Sequence, residues 1–289
     1  VRGASGAAPG DTPTSGVLPD TSASPHPLDH PVRSALTGPH AVFAERRGDV
    51  LRYPPEVSPF TALPATPSER DWADAAALAG PGAQLSYAAD VLPPAGWEVV
   101  IRVPAVQMVG DGVLARDGAA VSDGAAIPDG AAAADSAATP DGAAVSDGAE
   151  EVVRLTAADV PGMLALIEAA QPGPFLPRTV EMGVYLGIRR RGELVAMAGE
   201  RLHPPGWTEI SAVCTHPAHR GQGLAARLVL AVAAGIRARG ETPFLHAAMS
   251  NTNAIRLYER LGFRTRRTTM FHAVRVPAEI TATPVGEAR

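Results

Sequence analysis

The chain has 289 residues, 46% of them hydrophobic, with 30 acidic and 25 basic side chains and a net charge of −5. That length holds one large domain or two modest ones, and the apolar fraction is ample for a core. The acidic balance excludes a nucleic-acid binder that relies on a basic surface, and because every one of the 25 basic residues is arginine, a catalytic lysine is excluded as well.

The single cysteine, Cys214, forbids an intrachain disulfide and suits a reducing cytoplasm. The opening stretch "VRGASGAAPGDTPTSGVLPD" has no apolar run resembling a signal peptide. No segment approaches the ~20 apolar residues of a membrane span. A cytoplasmic protein without a membrane partner is expected.

Residues 1–23 are rich in Pro, Gly, Ser and Thr and read as a disordered tail. Residues 24–110 read as a small α/β accessory domain. "AVFAE" and "DVLRY" are its short strands, "SERDWADAAALAG" a helix capped by Ser68, and "GWEVVIRVPAVQMV" a long strand. The composition then changes. Over 111–150 an Asp recurs every six residues, from Asp117 to Asp147. Hexad repeats can build a parallel β-helix. Six hexads are too few to stack a core, and the would-be inward positions run from Val121 and Ile127 to Thr139 and Glu151. An acidic, flexible linker is the reading.

Order returns with "EVVRL" as a strand and "ADVPGMLALIEAA" as a helix that tolerates Pro161 in its first turn. Three strands follow, "VYLGIRR", "ELVAMAGERLH" and "WTEISAVCT". A helix over 223–239, the strand "PFLHAAM", the helix "NTNAIRLYERLG" and the strand "FRTRRTTMFHAVRV" complete residues 151–276, with 277–289 as a tail. This is a mixed α/β domain of about 125 residues, an ordinary domain size.

The stretch "HRGQGLAARL" joins the third strand of that run to the 223–239 helix. Gly221 and Gly223 lack a Cβ, so the backbone turns tightly and approaches a ligand closely. The helix start leaves its first four N–H groups unpartnered, and the helix dipole favours negative charge there. Arg220 at the rim adds a forked, charge-assisted contact. Two other phosphate motifs are dismissed. Ala226 stands where the dinucleotide fingerprint needs its third glycine, and a P-loop needs a lysine that the chain lacks. Alone, the loop is a weak signal, because such glycines often serve only the turn.

About thirty residues on comes "NTNAIRLYERLGF", with Asn251, Ala254, Tyr258 and the pair Gly262-Phe263. Together the two segments resemble the GCN5-related N-acetyltransferase (GNAT) superfamily, and their wording is most similar to its FR47-like branch. The likeness covers roughly 151–276. It implies a mostly antiparallel, splayed sheet flanked by helices, an acetyl-CoA co-substrate and transfer of its acetyl group to a primary amine by direct attack.

Carried onto this chain, the resemblance implies that Val213, Cys214 and Thr215 pair with the pantetheine arm. It lays the pyrophosphate on the N–H groups of Gly221, Gln222, Gly223, Leu224, Ala225 and Ala226 beside Arg220, and makes Asn251 a ligand contact. Tyr258 becomes the acid that protonates the departing thiolate; a tyrosine of pKa about 10 is still protonated at neutral pH and a thiol ionises near about 8.5. Read without the resemblance, Tyr258 belongs to an apolar helical stripe and Asn251 is a helix cap. Glu209 is the base that the resemblance implies in some members, and a solvated strand-face carboxylate otherwise; both readings stand. Strand alternation puts Glu209 and Ser211 on one face and Ile210, Ala212 and Cys214 on the apolar one.

Cys214 is therefore expected as a small core residue. His216 and His219 have no thiolate or carboxylate partner in the sequence, and no metal is expected. The runs "RRR" (189–191) and "RTRR" (264–267) are expected to be solvated, or to send one arginine to the 3′-phosphate of the coenzyme. Two alternatives remain beside the transferase: a non-catalytic acyl-CoA-binding module, and a role for 24–110 as a degenerate companion fold that covers the substrate face or makes a homodimer.

Overall fold

The computed structural model describes residues 26–113 and 151–278. The expected tail at 1–23, all but the first residues of the hexad linker and almost all of 277–289 lie outside the described residues. In chain order the first segment forms α1 (Pro31–Leu36), a 3₁₀ turn (Ala41–Phe43), β1 (Glu45–Arg47), β2 (Val50–Arg52), β3 (Thr61–Ala62), α2 (Glu69–Ala79), β4 (Gln84–Ala88) and β5 (Glu98–Val109). The second forms β6 (Val152–Leu155), α3 (Val160–Ala170), β7 (Tyr185–Arg190), β8 (Glu193–Glu200), β9 (Trp207–Thr215), α4 (Leu224–Ala238), β10 (Thr242–Ala248), α5 (Thr252–Arg260) and β11 (Arg264–Arg275).

Local chemistry accounts for several boundaries. Ser68 opens α2 through a reciprocal capping box: its hydroxyl accepts from the Asp71 N–H, and the Asp71 carboxylate accepts from the Ser68 N–H. In α4, Leu224, Leu228, Val229, Val232 and Ile236 form one buried stripe. Gly240 follows the helix with φ +78°, the left-handed stop that glycine adopts without strain. The expected strand "AVFAE" is instead a 3₁₀ turn followed by β1; Val42 is 85% exposed, so the segment has no sheet face to bury.

β1, β2 and β3 form a small sheet, and the other eight strands form one large sheet in the order β4-β11-β5-β10-β9-β8-β7-β6. Within the large sheet β9 and β10 run parallel, joined by α4, and the remaining pairs are antiparallel. The expected division at residue 110 therefore does not divide the sheet: β5, from the first segment, lies between β10 and β11. Its second half, Ala105–Val109, is buried with strands on both sides, which is why it reads as a nearly unbroken apolar run.

One face of the large sheet packs on α4, where Leu228, Val229 and Val232 meet Met108, Ile210 and Leu245. The adjacent residues Val109 and Phe244 point the other way and are covered by Leu28, Val32, Tyr53 and Phe60 of the first segment. Beside them α3 packs Met163 and Leu166 on Tyr185, Met197 and Cys214. No helix among the described residues is long and apolar enough to cross a membrane.

Candidate active site

β9 and β10 part company halfway along their length. Their pairing runs from Trp207↔Thr242 to Ile210↔Leu245 and stops there. Beyond that point β10 stays with β5 through His246↔Gln107 and Ala248↔Ala105, and β9 stays with β8 as far as Thr215↔Ala196. The facing edges of Ser211–Thr215 and His246–Ala248 thus carry backbone donors and acceptors with no strand partner. Both edges line a groove of about 1040 Å³ that also takes in the α4 start, α5 and the loop after α3.

A backbone irregularity sits at the fork. Ala212 has φ +52°, and the β8–β9 register shifts between the Met197 and Gly199 pairings, a bulge that re-aims the strand. The expected alternation is corrected here. Ile210 packs toward α4, but Ala212 and Cys214 pack on the opposite face with Met197 and Tyr185, while Val213 turns toward the α4 cluster. Cys214 is buried, and burial pushes its thiol up to about 12, so it remains protonated.

Gly221 and Gly223 hold φ values of +78° and +74°, and a Cβ at either would meet no atom within 4 Å. Backbone conformation, and not crowding, requires glycine there. Gly223 is the N-cap of α4 and has no side-chain cap; the first helical bond from the turn runs from the Arg227 N–H to the Gly223 carbonyl. The N–H groups of Leu224, Ala225 and Ala226 are left at the groove wall with the positive end of the helix dipole. Gln222 and Arg220 line the same wall, Arg220 resting its Nε 3.4 Å from the Thr215 carbonyl. Opposite, Asn251 caps α5 by accepting from the Ala254 N–H at 3.2 Å, and it too lines the groove.

Tyr258 faces this groove from α5. Its ring is 7% exposed and packs edge-on against Phe263, with centroids 6.1 Å apart. Burial pushes its hydroxyl up to about 12, and no described residue hydrogen-bonds it.

Glu209 is wholly buried. Both of its oxygens accept from the Arg201 guanidinium at 2.8 Å, and one also accepts from His246 Nδ1 at 2.7 Å. Burial alone would raise this carboxyl, but Arg201 and the His246 hydrogen bond hold it down at about 2. So engaged, it is held as a carboxylate, with both oxygens already accepting hydrogen bonds. The chain of contacts continues from His246 Nε2 to the Gln107 amide at 3.2 Å, and from Gln107 Oε1 to Arg266 at 2.9 Å. Arg266 also holds Asp29 at 2.6 Å.

Arg201, His246 and Gln107 carry no sequence motif; the cross-strand registers His246↔Gln107 and Phe244↔Glu209, with the backbone bonds from the Arg201 N–H to the Glu209 carbonyl and from the Glu209 N–H to the Leu202 carbonyl, bring them together. Of the arginine runs expected in solvent, Arg189, Arg191, Arg264 and Arg267 are exposed, with Arg189, Arg264 and Arg267 pairing at the surface with Asp159, Asp111 and Asp29, while Arg190 and Arg266 are half-buried against His219 and Asp29. Among the described residues no group of three or more His, Cys, Asp or Glu side chains is placed to hold a metal ion.

A parallel strand pair that opens into a groove, closed at one end by a glycine-opened helix start, matches the splayed sheet that the resemblance to the acetyltransferases implies. The model of the FR47-like protein family matches residues 185–272, which span both the fork and α5. A crystal structure named "Putative Acetyltransferase from the GNAT family", from Novosphingobium aromaticivorans, shares 37% identity with a TM-score of 0.68, covering 86% of this chain and 98% of its own. A GCN5-related N-acetyltransferase from Kribbella flavida shares 19% identity with a TM-score of 0.47, over 87% of this chain and 93% of its own. Among curated proteins none matches. The chain belongs to the GNAT superfamily.

Proposed function

We propose that the protein is an acetyl-CoA-dependent N-acetyltransferase that passes the acetyl group directly to a primary amine. The observation that carries this reading is the meeting of two unpaired strand edges with an uncapped, glycine-opened helix start in one groove. An extended pantetheine amide chain satisfies the free edge at Val213, Cys214 and Thr215 as a strand would. The diphosphate is neutralised by the N–H groups from Gly221 to Ala226, with Arg220 at the rim.

The amine nitrogen, entering as the free base, attacks the thioester carbon. The carbon–sulfur bond breaks as the carbon–nitrogen bond forms, the sulfur leaves as thiolate, and Tyr258 gives it a proton. The excess proton on nitrogen passes to water in the groove, and water returns a proton to Tyr258, so the enzyme ends the cycle unchanged. Glu209 acts through its neighbours: it fixes Arg201 and His246 and draws no proton itself.

The test is release of free thiol from acetyl-CoA across a panel of amines, with calorimetric titration of acetyl-CoA beside it. Amine-dependent thiol release is expected. Binding without turnover on any amine favours the non-catalytic acyl-CoA-binding module, and no binding refutes both.

A further inference from the structure

The groove passes through the sheet at the fork, and its two ends differ. Arg220 and Arg260 belong to the α4 and α5 side, where the coenzyme phosphates are assigned. Arg201 lies at the other end, on the face covered by the first segment, with its guanidinium 4.9 Å above the Phe60 ring. Its side chain is 12% exposed and lines the groove.

This arginine is held rigidly and is not spent. Of the five N–H donors of a guanidinium, one on Nε and one on NH2 go to Glu209. The others have no protein partner among the described residues. Bidentate pairing on one edge and an aromatic face beneath fix the plane, so the remaining donors are presented at little further entropic cost. The Arg201–Glu209 pair is neutral as a whole, which suits a monoanion; a dianion in the same place would meet the buried Glu209 charge.

The rest of the wall agrees. Among the described residues that line the groove there is no Asp or Glu; its basic members are Arg201, Arg220, Arg260, His219 and His246, and its other titratable members, Cys214 and Tyr258, are held neutral by burial. A polyamine, an aminoglycoside or a lysine-rich peptide would find no carboxylate here to balance its further positive charges.

We propose that the acceptor is an amine bearing a carboxylate, an amino acid or a small derivative with its carboxylate free, and that Arg201 is the side chain that takes this carboxylate. The inference rests on the acetyltransferase reading and adds the substrate class to it.

The experiment compares matched acceptors on the intact protein by thiol release: amino acids, the same amines without the carboxylate, the corresponding aminoalkyl phosphates, and polyamines, after titration with acetyl-CoA. The carboxylate-bearing member is expected to exceed its decarboxylated partner by about ten- to hundredfold in kcat/KM, the worth of a charge-assisted hydrogen bond. Removing Arg201 alone strands a buried Glu209, so the variant used joins Arg201→Met with Glu209→Gln. Its expected signature is collapse of that ratio toward one, which a general loss of activity does not produce. Retained acetyl-CoA binding with no preference for the carboxylate, no turnover of that member included, overturns this inference alone. Preference for the phosphate or the polyamine does the same. Failure to bind acetyl-CoA sinks the transferase reading, and this inference with it.

Discussion

Replacing Gly223 by alanine separates a role in ligand binding from a role in folding. The residue has φ +74°, and a Cβ there meets nothing within 4 Å, so no clash arises and the penalty is the left-handed strain of an L residue, about 1–2 kcal/mol. For a chain of this size that corresponds to a Tm lower by about 2–8 °C. Strain of this kind relaxes by turning the peptide plane, which swings the N–H groups at the head of α4 away from the groove. Losing two charge-assisted hydrogen bonds to a diphosphate weakens acetyl-CoA by at least about 3 kcal/mol, roughly hundredfold. Gly240 supplies the control: it has φ +78°, an equally empty Cβ position and a place at the far end of the same helix. Calorimetric titration and thermal melting of both variants are the assay. Gly240→Ala is expected to show the same loss of Tm with unchanged affinity, and Gly223→Ala to lose both. Equal acetyl-CoA affinity in the two variants would refute the assignment of the diphosphate to this helix start.

The Tyr258→Phe variant removes a hydroxyl that no described residue hydrogen-bonds, so thermal stability should hold within about 0.5 kcal/mol while kcat falls about 10²–10⁴-fold; full activity removes Tyr258 as the acid. Glu209→Gln breaks a buried ion pair and should destabilise by about 3–5 kcal/mol in chemical denaturation, whereas a surface carboxylate would show almost nothing. The pH dependence follows the same group: because the folded carboxyl is depressed to about 2 from 4.5, its contribution is complete above 4.5 and is lost as pH falls toward 2. His40, whose imidazole burial and His203 push down to about 4 from 6.5, contributes stability that is complete above 6.5 and lost between there and about 4, worth about 3 kcal/mol; denaturant midpoints of a His40→Gln variant should fall less steeply than those of the parent across that window. Expression of 150–289 alone removes β5 from between β10 and β11, and circular dichroism should show no cooperative melt; a native-like melt would contradict the placement of that strand.

What could be read from the sequence was local. The α4 start, Ser68 as a cap and the strands around "WTEISAVCT" declare themselves by glycine spacing, capping chemistry and apolar period, all within one element. The place of β5 did not, because strand pairing across a long intervening stretch leaves no local signature, and the abrupt change of composition after residue 110 suggested a boundary. The face taken by Cys214 was misread because strict alternation assumes an unbroken strand, and Ala212 breaks it with a conformation that alanine rarely adopts. Glu209 showed its position in the strand but not its partners: Arg201 lies beyond the end of β8 and His246 on β10, and the fold alone joins them. The "RTRR" run looked like solvated charge, yet Arg266 reaches Gln107 and Asp29 and fastens the first segment to the sheet.

The most direct measurement is a crystal structure of the protein grown with acetyl-CoA. Density for the diphosphate over the Gly221–Ala226 amides, with the pantetheine arm along Val213–Thr215 and the sulfur near the Tyr258 hydroxyl, is the expected result. An empty fork with the coenzyme bound elsewhere would contradict it.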